Sequence, residues 1–99
     1  MQFDLIGEYE VTVTPGGAPA LVVHHVIRGH DVAALGAADA AALRELLGVS
    51  QKRIRELGGY RLIFGGGGDL TVYTAAGARA CYFTADQAAR LAGLLAGVE

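Results

Sequence analysis

Apolar and polar positions alternate along residues 3–13. Phe3, Leu5, Tyr9, Val11 and Val13 fall on one face, and Asp4, Glu8, Glu10 and Thr12 on the other. A period of two predicts a half-buried strand, and Ile6-Gly7 interrupts it as a bulge would. Thr14–Pro19 reads as a turn, because Pro fixes φ and Gly supplies positive φ. Ala20–Arg28 is apolar on both faces and predicts a more central strand, paired antiparallel with the first. Residues 29–36 read as a connection, with Asp31 placed to start one helical turn. From Ala37 to Leu57 the period lengthens. Leu43, Leu47, Ile54 and Leu57 line one helical stripe, with Gly48 inside it and Gly58-Gly59 ending it. Tyr60–Phe64, Leu70–Thr74 and Ala78–Phe83 predict three further strands, joined by Gly65–Gly68 and by Ala76-Gly77. Thr84 and Gln87 spell a capping box, and Ala88, Leu91, Leu95 and Val98 supply the apolar face of the helix behind it.

The predicted order is ββα-βββα. This is an α+β fold: a two-layer sandwich with an antiparallel sheet of four or five strands and two helices on one face. Phe3, Leu5, Tyr9, Val11, Val13, Leu62, Phe64, Leu91 and Leu95 are its expected core. The order suggests a loose repeat of hairpin and helix, without a sequence motif shared by the halves.

Composition narrows the class. The 99 residues are 53% apolar and 18% charged, which suits a single globular domain over 1–99 and excludes a disordered tail. One cysteine, Cys81, cannot form a disulfide framework or a Cys-rich zinc site. No apolar run reaches the ~18 residues of a membrane span, and no basic-then-apolar leader opens the sequence, so a cytoplasmic protein without membrane contact is expected. Fifteen glycines and no tryptophan make a light core. Such a core, with the open edges of a sheet, predicts a homodimer.

Residues 38–57 resemble a helix-turn-helix. Gly48 stands at the turn, Leu43, Leu47, Val49, Ile54 and Leu57 stand at the contact positions, and Ser50 stands at the cap of a second helix. The resemblance implies a DNA-binding regulator using residues 39–57, with Gln51, Lys52, Arg53 and Arg55 presented to the major groove and Arg61 nearby. Lys52, Arg53, Arg55 and Arg61 form a basic cluster in a chain of net charge −2. Arg44 departs from the small residue usual at the helix contact. The competing reading is one long amphipathic helix, kinked at Gly48, whose basic residues are a solvated face.

Other constellations carry less. His24 and His25 are strand neighbours and point to opposite faces, so they do not converge on a metal, and His30 lies past Gly29. Gly65–Gly68 is followed by Asp69 and not by the Lys-Ser/Thr of a phosphate loop, which makes it a hairpin tip. Cys81 reads as a small core hydrophobe, and Glu8 with Glu10 as a solvent face. Ser50, the only serine, stands in a helix-like stretch without the strained turn that exposes a nucleophile. Three functions follow in order. The first is a non-catalytic binding or regulatory module acting as a homodimer or with a protein partner, without cofactor or metal. The second is the DNA-binding regulator. The third is a small enzyme with a site shared between subunits.

Overall fold

Strands β1 (Gln2–Ile6) and β2 (Tyr9–Val13) are two arms of a tight hairpin rather than one strand. The fold is that of a computed structural model, which describes residues 2–47 and 51–96. Gly7 turns the chain with φ +62°, the conformation glycine adopts without steric cost. The turn inverts the phase of the alternation. Phe3 pairs with Thr12 and Leu5 with Glu10, while Asp4 pairs with the buried Val11. Cross-strand partners share a face, so Phe3 and Leu5 lie outside, 63% and 55% exposed, and Ile6 enters the core in their place. The expectation that Phe3 and Leu5 are core is corrected on this ground.

Strand β3 (Leu21–His25) pairs with β2, and residues 30–35, expected as a connection, form strand β4 (His30–Leu35). Its buried positions are Ala33 and Leu35, and alanine gives a weak apolar signal. Helix α1 (Ala37–Leu47) follows, then strands β5 (Arg53–Leu57), β6 (Tyr60–Phe64), β7 (Leu70–Tyr73) and β8 (Arg79–Phe83), and helix α2 (Ala85–Leu95). The order is therefore ββββα twice, with two separate four-stranded antiparallel sheets, β1-β2-β3-β4 and β5-β6-β7-β8. The α+β class stands, whereas the single sheet of four or five strands and the order ββα-βββα do not.

The helical stripe ends at Leu47, where the described part of α1 stops. Arg53–Leu57 pairs along its length with Phe64–Tyr60, so Ile54 and Leu57 belong to a strand. Gly58 and Gly59, at φ +57° and +87°, make the two-residue hairpin turn that joins it to β6. The second helix of a helix-turn-helix is thus replaced by β5, and so is the far half of one long helix. Gly48, Val49, Ser50 and Val98, on which those readings also drew, lie outside the described residues.

The two halves superpose residue on residue in their pairing. Ile6-Gly7-Glu8-Tyr9 matches Leu57-Gly58-Gly59-Tyr60; Val11 and Val13 match Leu62 and Phe64; Leu21 and Val23 match Leu70 and Val72. Even the irregularity repeats, since the register shifts after Val23 in one sheet and after Val72 in the other. Leu35 and Leu43 match Phe83 and Leu91. All of these apart from Gly7, Glu8, Tyr9 and their counterparts, and Leu57, are buried. The halves therefore do share a pattern, written in burial and register with few identical letters.

The halves also interlock. The Tyr9 hydroxyl accepts from the Tyr82 amide of β8 at 3.2 Å, and the Tyr60 hydroxyl accepts from the Ala34 amide of β4 at 3.2 Å. Tyr9 matches Tyr60 and Tyr82 matches Ala34, so the two bonds are one contact repeated about an approximate two-fold axis. Each bond occupies an N–H on the outer edge of a sheet, where β4 and β8 approach one another. Helix α2 packs on β1 and β2 of the other half and against α1. Its Arg90 Nη2 donates to Asp4 Oδ2 at 2.7 Å and to the Leu5 carbonyl at 2.8 Å. One core, drawn from both sheets and both helices, results. Among the described residues no helix is long and apolar enough to cross a membrane.

Candidate binding face on the second sheet

Antiparallel pairing decides which side chains of the second sheet meet. Ile54, Ile63, Thr71 and Tyr82 form one outward row, and Glu56, Arg61, Tyr73 and Arg79 form the next. The opposite face, carrying Leu62, Phe64, Leu70, Val72, Cys81 and Phe83, is buried in the core. The outward face thus carries two guanidiniums and two phenols beside Ile54, Ile63, Thr71 and Glu56, with Tyr82 37% and Ile54 58% exposed. At the end where the β5–β6 and β7–β8 turns lie, it dips into a cavity of about 520 Å³ lined by Glu56, Arg61, Ile63, Tyr73 and Thr74 together with turn glycines. Arg61 Nη2 donates to Glu56 Oε1 at 3.1 Å. Both side chains are more than half exposed, so the pair orients the guanidinium without neutralising it strongly.

The residues singled out from the basic cluster divide between face and edge. Arg61 lies on the outer face beside Tyr73. Arg53 and Arg55 pair with the buried Phe64 and Leu62, so they sit along the free β5 edge, toward the core side. Arg53 Nη2 donates to Gln51 Oε1 at 2.6 Å, and Arg55 Nη1 donates to the Ile54 carbonyl at 3.0 Å. Gln51 and Lys52 are exposed just before the edge strand begins. Tyr73, Arg79 and Tyr82 escaped sequence reasoning, because only the register of β6, β7 and β8 brings them beside Arg61. The signal was present in the alternation of Leu70–Phe83, where Thr71, Tyr73 and Tyr82 stand between core positions.

Charge is segregated between the sheets. Residues 51–83 carry Lys52, Arg53, Arg55, Arg61 and Arg79 against Glu56 and Asp69, whereas residues 2–35 carry Arg28 against Asp4, Glu8, Glu10 and Asp31. At matched positions the sign reverses three times: Asp4 with Arg55, Glu10 with Arg61, Asp31 with Arg79. A chain of net charge −2 therefore presents one basic sheet and one acidic sheet.

The histidines belong to the first sheet. His24 lies outward, its Nδ1 2.8 Å from Asp31 Oδ1. His25 is buried at the sheet end; its Nδ1 accepts from the Arg28 amide at 3.1 Å, leaving Nε2 to donate to Glu8 Oε2 at 3.2 Å. The Tyr9 ring stands edge-on to it at 5.3 Å. His30 Nδ1 lies 3.2 Å from the Asp31 carbonyl. Among the described residues no three His, Cys, Asp or Glu side chains converge on one point. Gly65–Gly68 forms the tip of the β6–β7 hairpin, closed by Gly65 N–H to the Asp69 carbonyl at 3.0 Å. Cys81 is buried against the sheet interface, and burial pushes its thiol up to about 12. Comparison of the chain with protein-family models, curated proteins and solved structures found no match.

Proposed function

We propose that this protein is a non-catalytic binding module whose second sheet takes a single-stranded nucleic acid across its outer face. The observation that carries the reading is the outward row Arg61, Tyr73 and Arg79, with Tyr82 in the next row, on the more basic sheet of an acidic chain. Guanidinium groups attract phosphates, and phenol rings offer flat surfaces on which unpaired bases stack, at about 1–3 kcal/mol per base. An acidic protein would need the charges but not the exposed rings. A reader of the duplex major groove presents a projecting helix or ribbon, and this outer sheet face presents neither. Arg53 and Arg55 on the free β5 edge, with Gln51 and Lys52 just before it, add positive charge beside the face. Non-catalytic action is supported by the chemistry of the face, where the titratable groups are arginines, tyrosines and one paired carboxylate.

Fluorescence anisotropy with a labelled single-stranded oligonucleotide, a matching duplex and polyglutamate tests this. At about 50 mM salt the single strand binds most tightly, and its affinity falls steeply as salt rises. R61E/R79E loses at least about tenfold in affinity, a loss of ~1.4 kcal/mol or more. Y73A/Y82A weakens binding while leaving the salt slope unchanged, because stacking releases no counterions. Equal affinity for polyglutamate, or binding indifferent to R61E/R79E, contradicts the reading.

A further inference from the structure

The outer faces of the two sheets are built on one template with inverted charge. On the first sheet Leu5, Glu10, His24 and Asp31 form a row, and Phe3, Thr12, Val22 and Ala34 form its neighbour. Glu10 on β2 and Asp31 on β4 are two strands apart, and so are Arg61 on β6 and Arg79 on β8. Two strand spacings are about 10 Å in each sheet. The acidic pair and the basic pair thus have matching separations. Each outer face also has an exposed apolar margin. Exposed Phe3 and Leu5 lie on the free edge strand β1, and exposed Ile54 lies on the free edge strand β5.

The geometry points to a second copy of this chain as the occupant of the first sheet, seated on it by that copy's own second sheet. Glu10 and Asp31 then meet Arg61 and Arg79 of the neighbour, while Phe3, Leu5 and Ile54 are covered at the margins. First sheet on first sheet would stack like charges, as would second on second. The contact therefore joins unlike surfaces, and each pair of copies leaves one acidic and one basic face free. Such an interface propagates into open chains or closes into a ring, in contrast to a self-complementary dimer. The acidic face and a nucleic acid compete for the same basic face, yet the self-association does not depend on the nucleic-acid reading.

Sedimentation velocity over a range of micromolar concentrations, without any oligonucleotide, tests the inference. At about 50 mM salt the mean mass rises with concentration, and at about 500 mM salt it returns to that of one chain, since the charges are exposed and screened. E10K/D31K and R61E/R79E, each shown to be folded by circular dichroism, stay monomeric alone. An equimolar mixture of the two regains mass, because the intact second face of E10K/D31K meets the intact first face of R61E/R79E and the two reversed faces complement each other. A wild-type chain monomeric throughout at low salt, association that survives in either variant, or a mixture of folded variants that stays monomeric would each overturn it. The oligonucleotide affinity of E10Q/D31N, whose first face is neutral rather than basic, separates this inference from the one before it. Retained binding with lost association leaves both standing, and absent binding with the mixture restored removes only the nucleic-acid reading.

Discussion

Cys81 shows how one side chain takes its character from its place in the duplication. It matches Ala33, and both fill the seam where the sheets meet. Burial raises its thiol from an ordinary 9.0 to about 12. The folded state therefore holds a proton that the unfolded state releases above about pH 9. Stability is full below that value and falls as pH rises toward about 12, by up to roughly 1.4 kcal/mol per pH unit. Urea midpoints of the wild type and Cys81→Ala, compared from about pH 8 to about pH 11, should diverge from parallel above about pH 9, the wild type falling faster. Parallel profiles would count against a buried, protonated thiol. Modification by a thiol reagent should likewise track unfolding, since the thiolate is the reactive form.

At the scale of elements, the two helices invite a direct comparison. Thr84 Oγ1 accepts from the Gln87 amide at 3.3 Å, and Gln87 Oε1 accepts from the Thr84 amide at 3.0 Å, so the capping box read from the sequence is formed. The matching position before α1 is Gly36, whose carbonyl accepts from Ala40 but which has no side chain to cap. An added Cβ there meets nothing within 4 Å, and the backbone is not left-handed. Thr84→Ala should cost about 1 kcal/mol. Gly36→Ser should gain about 0.5 kcal/mol, from a new cap and a less flexible unfolded chain. Chemical denaturation of both variants checks the pair, and equal midpoints for all three chains would contradict the capping account.

The elements that local chemistry defines were legible. The strands at 60–64, 70–73 and 79–83, the glycine hairpin tip and the last helix all follow from alternation, turn residues and a cap. Those that tertiary context defines were not. The alternation of residues 3–13 resumes in phase after the break at Ile6-Gly7, which reads as a bulge within one strand, so the hairpin there emerges only from the pairing. Arg53–Leu57 has its apolar residues at a helix-like spacing from Leu47, and only its ladder with β6 makes it a strand. The candidate face follows the same rule. Arg61 and its basic neighbours stood out as a cluster, whereas Tyr73, Arg79 and Tyr82 join them only through register.

At the scale of the whole molecule, a ββββα unit occurs twice and closes on itself through crossed tyrosine bonds and helices laid against each other. The two units share register and burial, and they differ in the charge of their outer faces. The first sheet keeps Glu10 and Asp31 where the second has Arg61 and Arg79. On the proposed function, this difference makes the second sheet the binding face. Amide chemical-shift mapping by NMR during titration with a single-stranded oligonucleotide tests it most directly. E10Q/D31N is the chain to use, because it removes the acidic partner face without making it basic. The expected shifts concentrate on the outward residues of β5–β8, led by Arg61, Tyr73 and Tyr82, with β1–β4 unmoved. Shifts of equal size on both sheets, or confined to β1–β4, would contradict it.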